Sequence, residues 1–540
     1  MTRNRTRRAA LAAAAVALIA TVLSVCAAQT RGAAPSTTTP PPPPPPPVGI
    51  GQADRWFDNS LPQPAAETGK SAARPNIVFV LTDDLSMNLV PYMPHVQALM
   101  QRGMNFTNFT VTDSFCCPSR ASTFTGEYPH NTKVFNNVAP RGGYPAFQTN
   151  HDGTHTFAVA LHAAGYRTAF AGKYLNKYNP VNTAGTGVVP GGWSSWGGEN
   201  TAGYNEYDYA MALGHHAVSF GEAPADYGTT VLDDLGTSYI RRAPTHHAPF
   251  LLELATYAPH SPYVPAPQDA DSYPGLTAPR GPAWDQKPAN APGWIANKKP
   301  LTASLMKRCD DTFRKRVQDV QSVDRMIGDL EDTLVQTGQF DNTVFVFSSD
   351  NGFHTGEYTL SPGKLTAFDT DVHVPLVMAG PGIAPGSTNA DLVQNTDLAP
   401  TFDALAGAHM PGAPASVDGQ SLVPLLHGRS VSWRNAAVVE QWGGAGTDGG
   451  DPDAQSGLAG TPPRYTAVRT ADYTYVRYST GEHEFYDRRT DPNQLDNVYG
   501  QLSPGVDAKL NAAATALSTC SGRGCRKVSA PVVVGAPGAH

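Results

Sequence analysis

Short apolar runs that break off into polar residues recur along the chain: PNIVFVLTDDL (Pro75 to Leu85), TAFAGKY (Thr168 to Tyr174), PFLLELATYAPH (Pro249 to His260), TVFVFSSDNG (Thr343 to Gly352) and VPLVMAG (Val374 to Gly380). Each has the length and continuity of a strand buried on both faces, and its polar end marks where the chain leaves the sheet. Helical patterns lie between the runs. One spans His95 to Arg102; the clearest, Asp311 to Gln336, puts Val317, Val320, Val323, Met326, Ile327, Leu330 and Leu334 on one face. Strands alternating with helices predict an α/β fold with a large, mostly parallel sheet flanked by helices, in which ligands collect at the C-terminal strand ends.

From about Trp433 the pattern changes. RYTAVRTADYTYVRYSTGEHEFYDRRTDP alternates aromatic or β-branched residues with polar ones, with turns at Ala471-Asp472 and Thr480-Gly481. This predicts a smaller antiparallel sheet, followed by a helix near Val506 to Leu517. The Gly- and Asp-rich stretch Gly443 to Gly460 reads as a mobile loop.

At the other end, Arg3, Arg5, Arg7 and Arg8 precede an apolar run from Ala9 to Val25 closed by Cys26, Ala27 and Ala28, the three regions of a bacterial-type export signal. A retained membrane anchor is the competing reading. The run is short for a span and no second apolar stretch follows, so a secreted protein without a stable membrane span is expected. Arg7-Arg8 and Cys26 leave a twin-arginine route and a lipid anchor as lesser alternatives. Pro40 to Pro47 is unbroken proline, a stiff polyproline II spacer. A net charge of -7 and the absence of a long basic block argue against a nucleic-acid partner.

The cysteines divide into groups. Cys520 and Cys525, in TCSGRGCR, read as a small disulfide loop; a metal knuckle would need a second Cys or His pair nearby. With Cys26 in the export segment, Cys116, Cys117 and Cys309 remain. An odd number leaves at least one unpaired, and whether Cys117 pairs with Cys309 stays open.

Two of the strand ends carry acids, Asp83 and Asp84 at one and Asp350 beside the amide Asn351 at the other. If both strands share a sheet, these groups converge at one edge, and carboxylates packed together need a cation. Oxygen ligands select Ca²⁺ or Mg²⁺ over zinc. The alternative is that each Asp caps the loop or helix that follows it.

CCPSRASTFTG (Cys116 to Gly126) resembles the first signature of the sulfatase family, Cys-x-Pro-Ser-Arg followed by Thr-Gly, and GYRTAFAGKYLNKY (Gly165 to Tyr178) is similar to the second. TDD and SDNG fall where sulfatases keep their metal ligands, and FYDRRTDPNQLDN (Phe485 to Asn497) extends the match. AGKYLNKY, TYAPHSPY, FRKRVQDVQSVD and NGFHTGEYTL further resemble the N-acetylglucosamine-6-sulfatase branch. The resemblance implies an alkaline-phosphatase-like sandwich and hydrolysis of sulfate monoesters, on a sulfated small molecule or glycan. It implies that Cys116 becomes formylglycine through a formylglycine-generating enzyme that reads Cys-x-Pro-x-Arg, with Cys117 as the variable position. The metal, Ca²⁺ before Mg²⁺, would be held by Asp83, Asp84, residue 116, Asp350 and Asn351. Arg120 would hold the aldehyde hydrate, Lys173 and Lys364 would clamp sulfate oxygens, and His260 would donate a proton to the leaving alcohol.

An aldehyde suits this chemistry. Its hydrate carries two hydroxyls on one carbon, so one attacks sulfur and the other later collapses to expel sulfate, an exit that a serine ester lacks. The expected organisation is then an export signal (1–28), a Pro-rich linker (29–73), a catalytic α/β domain (74–430), a C-terminal α+β subdomain (431–530) and a tail (531–540).

The chain also departs from the family. Many sulfatases place a histidine two or three residues after the signature lysine; here those positions are Leu175 and Asn176. Asn176 hydrogen-bonds but is no base, so the base for sulfate expulsion is unassigned, with His354 a candidate. Phe124 replaces the usual leucine. Two other functions compete: a phosphate or phosphonate monoesterase using the same aldehyde, and a non-catalytic, metal-stabilised extracellular binding protein that keeps its Cys116 thiol.

Overall fold

All five apolar runs form strands of one sheet in the structure, a computed structural model. It describes residues 55–57, 61–64, 74–181, 187–412, 416–443 and 453–533, all within the second of two units, Pro47–His540. The expected export signal and proline run lie outside the described residues.

In chain order the strands are β1 (Asn76–Thr82), β2 (Met104–Phe106), β3 (Phe109–Thr110), β4 (Arg167–Gly172), β5 (Ser195–Glu199), β6 (Ala210–Leu213), β7 (His216–Ser219), β8 (Phe250–Ala255), β9 (Thr343–Ser349), β10 (Leu376–Ala379), β11 (Ser387–Asn389) and β12 (Val393–Gln394). Those of the second sheet are β13 (Ala437–Gln441), β14 (Tyr465–Arg469), β15 (Tyr473–Tyr478) and β16 (His483–Asp487). The helices that matter here are α1 (Pro94–Arg102), α2 (Cys116–Thr125), α3 (Phe157–Ala163), α4 (Gly228–Arg242), α5 (Ala303–Gln336), α6 (Leu398–Ala406) and α7 (Pro504–Leu517).

The main sheet has ten strands in the order β11, β2, β10, β9, β1, β8, β4, β5, β6, β7. Its centre, β9 to β5, is parallel; β10 runs against β9, and β6 and β7 close the far edge as antiparallel neighbours. Side chains alternate across it. Ile77, Phe79 and Leu81 enter one core with Phe124, Phe157 and Phe402, while Val78 and Val80 enter the other with Val317, Val320 and Leu330. Two covered faces explain why the runs are apolar without alternation.

Helix α5 begins eight residues before the expected Asp311, because the Thr302 hydroxyl accepts the Leu305 N–H and caps it. Its first turns, Ala303 to Arg308, are exposed or half-buried, and the buried apolar stripe sets in only at Cys309 and Phe313, so periodicity could not find the start.

A second difference lies upstream. Trp56 and Leu61, within the stretch expected to be linker, are buried, and Trp56 Nε1 donates to Phe170 O at 3.2 Å. Packing against the main sheet therefore starts before Arg74. A lone tryptophan among Pro, Gly and polar residues has no period to reveal it.

The four C-terminal strands form an antiparallel sheet in sequence order, with turns where expected, and α7 packs on it. Cys520 and Cys525 form a disulfide. Cys116, Cys117 and Cys309 are buried free thiols, so Cys117 and Cys309 are not paired. Among the described residues no helix is long and apolar enough to cross a membrane.

Candidate active site

Register places the site. Thr82 on β1 pairs with Ser349 on β9, Leu81 with Ala255 on β8, and Ala255 with Gly172 on β4. In parallel strands so aligned, the next residues of each strand, Asp83, Asp350, Thr256 and Lys173, emerge side by side at one edge. Asp350 N still donates to Thr82 O (3.1 Å) and Lys173 N to Ala255 O (2.8 Å), so the ladder holds these positions where the side chains diverge.

At Asp84 the backbone turns into the left-handed region, with φ of 65°, an unfavourable conformation for a non-glycine residue. Arg316 on α5 donates to Asp84 O, and Asp84 N donates to Asp350 Oδ1 at 3.1 Å. Asn351 Nδ2 donates to Asp84 Oδ1 at 2.6 Å, while Asn351 Oδ1 is buried without a partner among the described residues.

Helix α2 brings Cys116 to this edge as its first residue. The helix ends at Gly126 (φ 72°), whose N–H returns to Ser122 O. At the start, Asn137 Oδ1 accepts the Cys117 N–H at 3.0 Å, a cap supplied from another segment. Cys116 Sγ lies 3.2 Å from Asp83 Oδ1 and 2.9 Å from Lys364 Nζ. One turn on, the wholly buried Arg120 donates from Nε to Asp350 Oδ2 (2.7 Å) and from Nη1 to Lys173 O (2.8 Å). Its Nη2 has no partner among the described residues. Cys117 faces the core with Ala121 and Phe124.

The cations are held by the carboxylates. Lys173 Nζ donates to Asp83 Oδ2, and Lys364 Nζ lies 2.6 Å from both Asp84 Oδ1 and Asp453 Oδ1. His260 Nδ1 faces Ser261 O at 2.6 Å, and its Nε2 lies 2.5 Å from Asp453 Oδ1 and 3.6 Å from Asp84 Oδ2. Asn176 Nδ2 donates to Asp453 Oδ2 at 3.2 Å, as does Asn137 Nδ2 at 2.5 Å.

Charge follows this arrangement. Burial, then Asp350, push the Asp83 carboxyl up to about 6 against the pull of Lys173 and His260. Burial would also raise Asp350, but Arg120, Lys173 and Lys364 outweigh it and hold that carboxyl below its ordinary value. Burial would lower His260, yet Asp453, Asp83 and Asp84 keep the imidazole above its ordinary value. The Cys116 thiol is raised well above its usual value by burial, Asp453 and Asp83, so an unmodified side chain there is not a thiolate.

The structure thus draws together Asp83, Asp84, Cys116, Arg120, Lys173, Asn176, His260, Asp350, Asn351 and Lys364. His354 is engaged elsewhere. Its Nδ1 bonds Asp371 Oδ1 and its Nε2 faces Ala459 O, both at 2.9 Å, so it braces a loop and offers no ring nitrogen to Cys116.

Asn137 and Asp453 were not found from the sequence. Asn137 lies in no recognisable pattern. Asp453 sits in the glycine-rich stretch read as a mobile loop, yet it is buried at 5 % exposure among the cations. Residues 444–452 of that stretch lie outside the described residues. A cavity of about 300 Å³ at the opposite edge of the sheet, lined by Arg102, Glu331, Phe340 and Thr343, has no comparable group of functional side chains.

The sulfatase family model matches residues 75–408, and a model described as N-sulphoglucosamine sulphohydrolase, C-terminal, matches residues 356–517. The chain is 35% identical to a Homo sapiens N-acetylglucosamine-6-sulfatase over 481 residues, which cover 84% of this chain and 86% of that protein. A solved structure described as in complex with its substrate D-glucosamine-2-N,6-O-disulfate superposes with a TM-score of 0.67 at 21% identity, over 82% of this chain and 97% of that one. The phosphonate monoester hydrolase of Silicibacter pomeroyi superposes with a TM-score of 0.61 at 21% identity, over 82% and 94%. At these identities the two superpositions show a shared fold.

Proposed function

The chain belongs to the sulfatase family, and from that footing we propose that it hydrolyses the sulfate ester of a sulfated sugar such as N-acetylglucosamine 6-sulfate, with residue 116 as formylglycine and a bound Ca²⁺. The observation that carries this reading is the placement of Cys116 between Lys364 and Asp83, at the meeting point of the acids from β1 and β9.

The donors fit a hard cation. The carboxylates of Asp83, Asp84 and Asp350 are buried at the same sheet edge, and the orphaned Asn351 Oδ1 is a neutral oxygen of the kind such an ion takes. Together with residue 116 these four would hold it. When present, the ion would neutralise sulfate oxygen charge and favour a deprotonated hydroxyl, and the aldehyde hydrate would supply one hydroxyl to attack sulfur and a second to expel sulfate.

The chain's own residues supply the rest. Lys173 and Lys364 present buried ammonium groups to the sulfate oxygens. His260 would give the proton on Nε2 to the leaving oxygen, with the ring oriented by the contact of Nδ1 with Ser261 O. Arg120, anchored by Nε and Nη1, keeps Nη2 for the hydroxyls at position 116. Burial of the whole group strengthens each of these interactions by excluding water. Asn176 donates a hydrogen bond to the anion but takes no proton.

The name of the human relative supports a sugar substrate, the N-terminal pattern supports export, and the Cys-x-Pro-x-Arg segment at Cys116 supports modification by a formylglycine-generating enzyme. A phosphate or phosphonate monoesterase is the second reading, favoured by the shared fold with the Silicibacter pomeroyi hydrolase.

The test is release of inorganic sulfate from defined sulfated mono- and oligosaccharides, run beside the matching phosphate esters, on protein whose Asp113 to Arg120 peptide has been weighed. Sulfate release from a 6-sulfated amino sugar by protein carrying the aldehyde is expected. Faster phosphate release, or an intact thiol in fully active protein, overturns the proposal.

A further inference from the structure

The group at the centre of the cationic cluster is a carboxylate from a distant part of the chain. Asp453 Oδ1 lies 2.6 Å from Lys364 Nζ and 2.5 Å from His260 Nε2, and it stands 3.7 Å from Cys116 Sγ. Oδ2 accepts from Asn137 Nδ2 at 2.5 Å and Asn176 Nδ2 at 3.2 Å. One oxygen is therefore held by an ammonium and an imidazolium and stands near the sulfur of residue 116, while the other is held by two amides. That is how an oxyanion aimed at residue 116 would be gripped.

A second anion would have to take the donors that Asp453 already occupies. Cys116, Lys173, Asn176, His260, Lys364 and Asp453 are all buried, and the crevice beside Lys173, Asn176, Tyr204 and Tyr257 measures about 10 Å³, space for no more than a single water. Asp453 is also held well below the ordinary carboxylate range, since Lys364 and His260 outweigh its burial.

The segment that follows is fixed. Gln455 Oε1 accepts the Lys364 N–H at 3.0 Å, and its Nε2 donates to Lys364 O at 2.9 Å and to Gly460 O at 2.7 Å. Ala459 O meets His354, and Leu458 O accepts the Ser361 N–H. The Asp453 carboxylate itself lies two residues before this anchor, outside its hydrogen bonds.

Resting on the sulfatase reading, we infer that the Asp453 carboxylate is an internal occupant of the anion subsite, which the sulfate group of the substrate must displace and which sets how tightly any anion is held there. Asn137 becomes a sulfate-binding donor by the same argument, alongside Lys364, His260 and Asn176. The displacement discriminates among ligands: an anion must offer these four donors at least as much as the carboxylate does. Return of Asp453 after turnover favours release of the product sulfate.

Binding without turnover tests this. Inorganic sulfate is titrated calorimetrically into Cys116→Ser protein at fixed Ca²⁺, with Asp453 intact or replaced by Asn or Gly, and folding of each is checked by thermal unfolding. Because an anion that binds only the vacated state has its affinity reduced by the fraction of protein in that state, D453N and D453G should bind sulfate about 10-fold more tightly or better. In the convertible protein, KM and the inhibition constant for sulfate should fall together.

Equal or weaker sulfate binding in both folded variants overturns the inference. A loss of kcat at unchanged KM overturns it too, and makes Asp453 a positioning group for His260. Tighter sulfate binding in a protein that releases no sulfate from any ester would leave this inference standing and remove the substrate assignment, so the two failures are distinct.

Discussion

Replacing Arg120 by Met removes the guanidinium that joins α2 to the end of β9. The side chain is wholly buried, its Nε donates to Asp350 Oδ2 at 2.7 Å, and its Nη1 donates to Lys173 O at 2.8 Å. Methionine nearly fills the volume, so the loss is electrostatic: a carboxylate left buried beside Asp83 and Asp84 with its main counter-charge gone. Breaking a buried ion pair from one side costs about 3–5 kcal/mol. The sign of the pH dependence follows from Asp350, whose carboxyl is held below its ordinary value. Such a group contributes stability that is present above the unfolded value, near 3.8, and lost as pH falls through the folded value. The gap between wild type and R120M should therefore be full at neutral pH and narrow in acid.

Urea unfolding in chelator, followed by tryptophan fluorescence and far-UV circular dichroism with coincident transitions, measures it. Excess Ca²⁺ should narrow the gap, because a cation at the carboxylates replaces part of the lost charge. A difference below about 1 kcal/mol in chelator, or one as large at pH 3 as at pH 7, would refute the reasoning.

His260→Ala should lower kcat on a sugar sulfate by roughly 10²–10⁴-fold but spare 4-nitrophenyl sulfate, whose leaving group needs no proton; equal losses on both substrates would remove the general-acid role. Glu484, buried between the hydroxyls of Tyr478 and Tyr486, is pushed by burial from 4.5 up to about 7. Its stabilising protonated form is fully present below the unfolded value and lost as pH rises through about 7, so wild type should lose roughly 3 kcal/mol across that window and E484Q should not, as read by urea midpoints against pH. The Cys520–Cys525 loop presents Cys520 O to His130 and Asn131. Reducing it with a dithiol should cost about 2 kcal/mol, measured by denaturation, and C520S should abolish the response.

Much of the fold was legible because it is written in local pattern. Buried strands are continuous apolar runs, α5 shows its period over many turns, and the turns of the second sheet have turn residues. The failures occur where the pattern is silent. Trp56 packs on the main sheet from a stretch without periodicity, the cap of α5 precedes its apolar stripe, and Cys117 and Cys309, equally open to pairing in a count of cysteines, are separate thiols.

By itself the sequence determined the chemistry available: the acids that close β1 and β9, the Cys-x-Pro-Ser-Arg segment that opens α2, the lysine after β4 and the histidine after β8. A short motif fixes residue types and the strand end that bears them, because both are matters of neighbours in the chain. Only the tertiary structure decided which of these groups meet. Parallel register lined up Asp83, Asp350 and Lys173, packing turned His354 away to Asp371, and a segment more than three hundred residues from Cys116 brought Asp453 to within 3.7 Å of its sulfur. The physical reason is that charge complementarity acts through space: a buried cluster of ammonium, imidazolium and amide donors selects a carboxylate by distance, and distance across a fold has no signature along the chain.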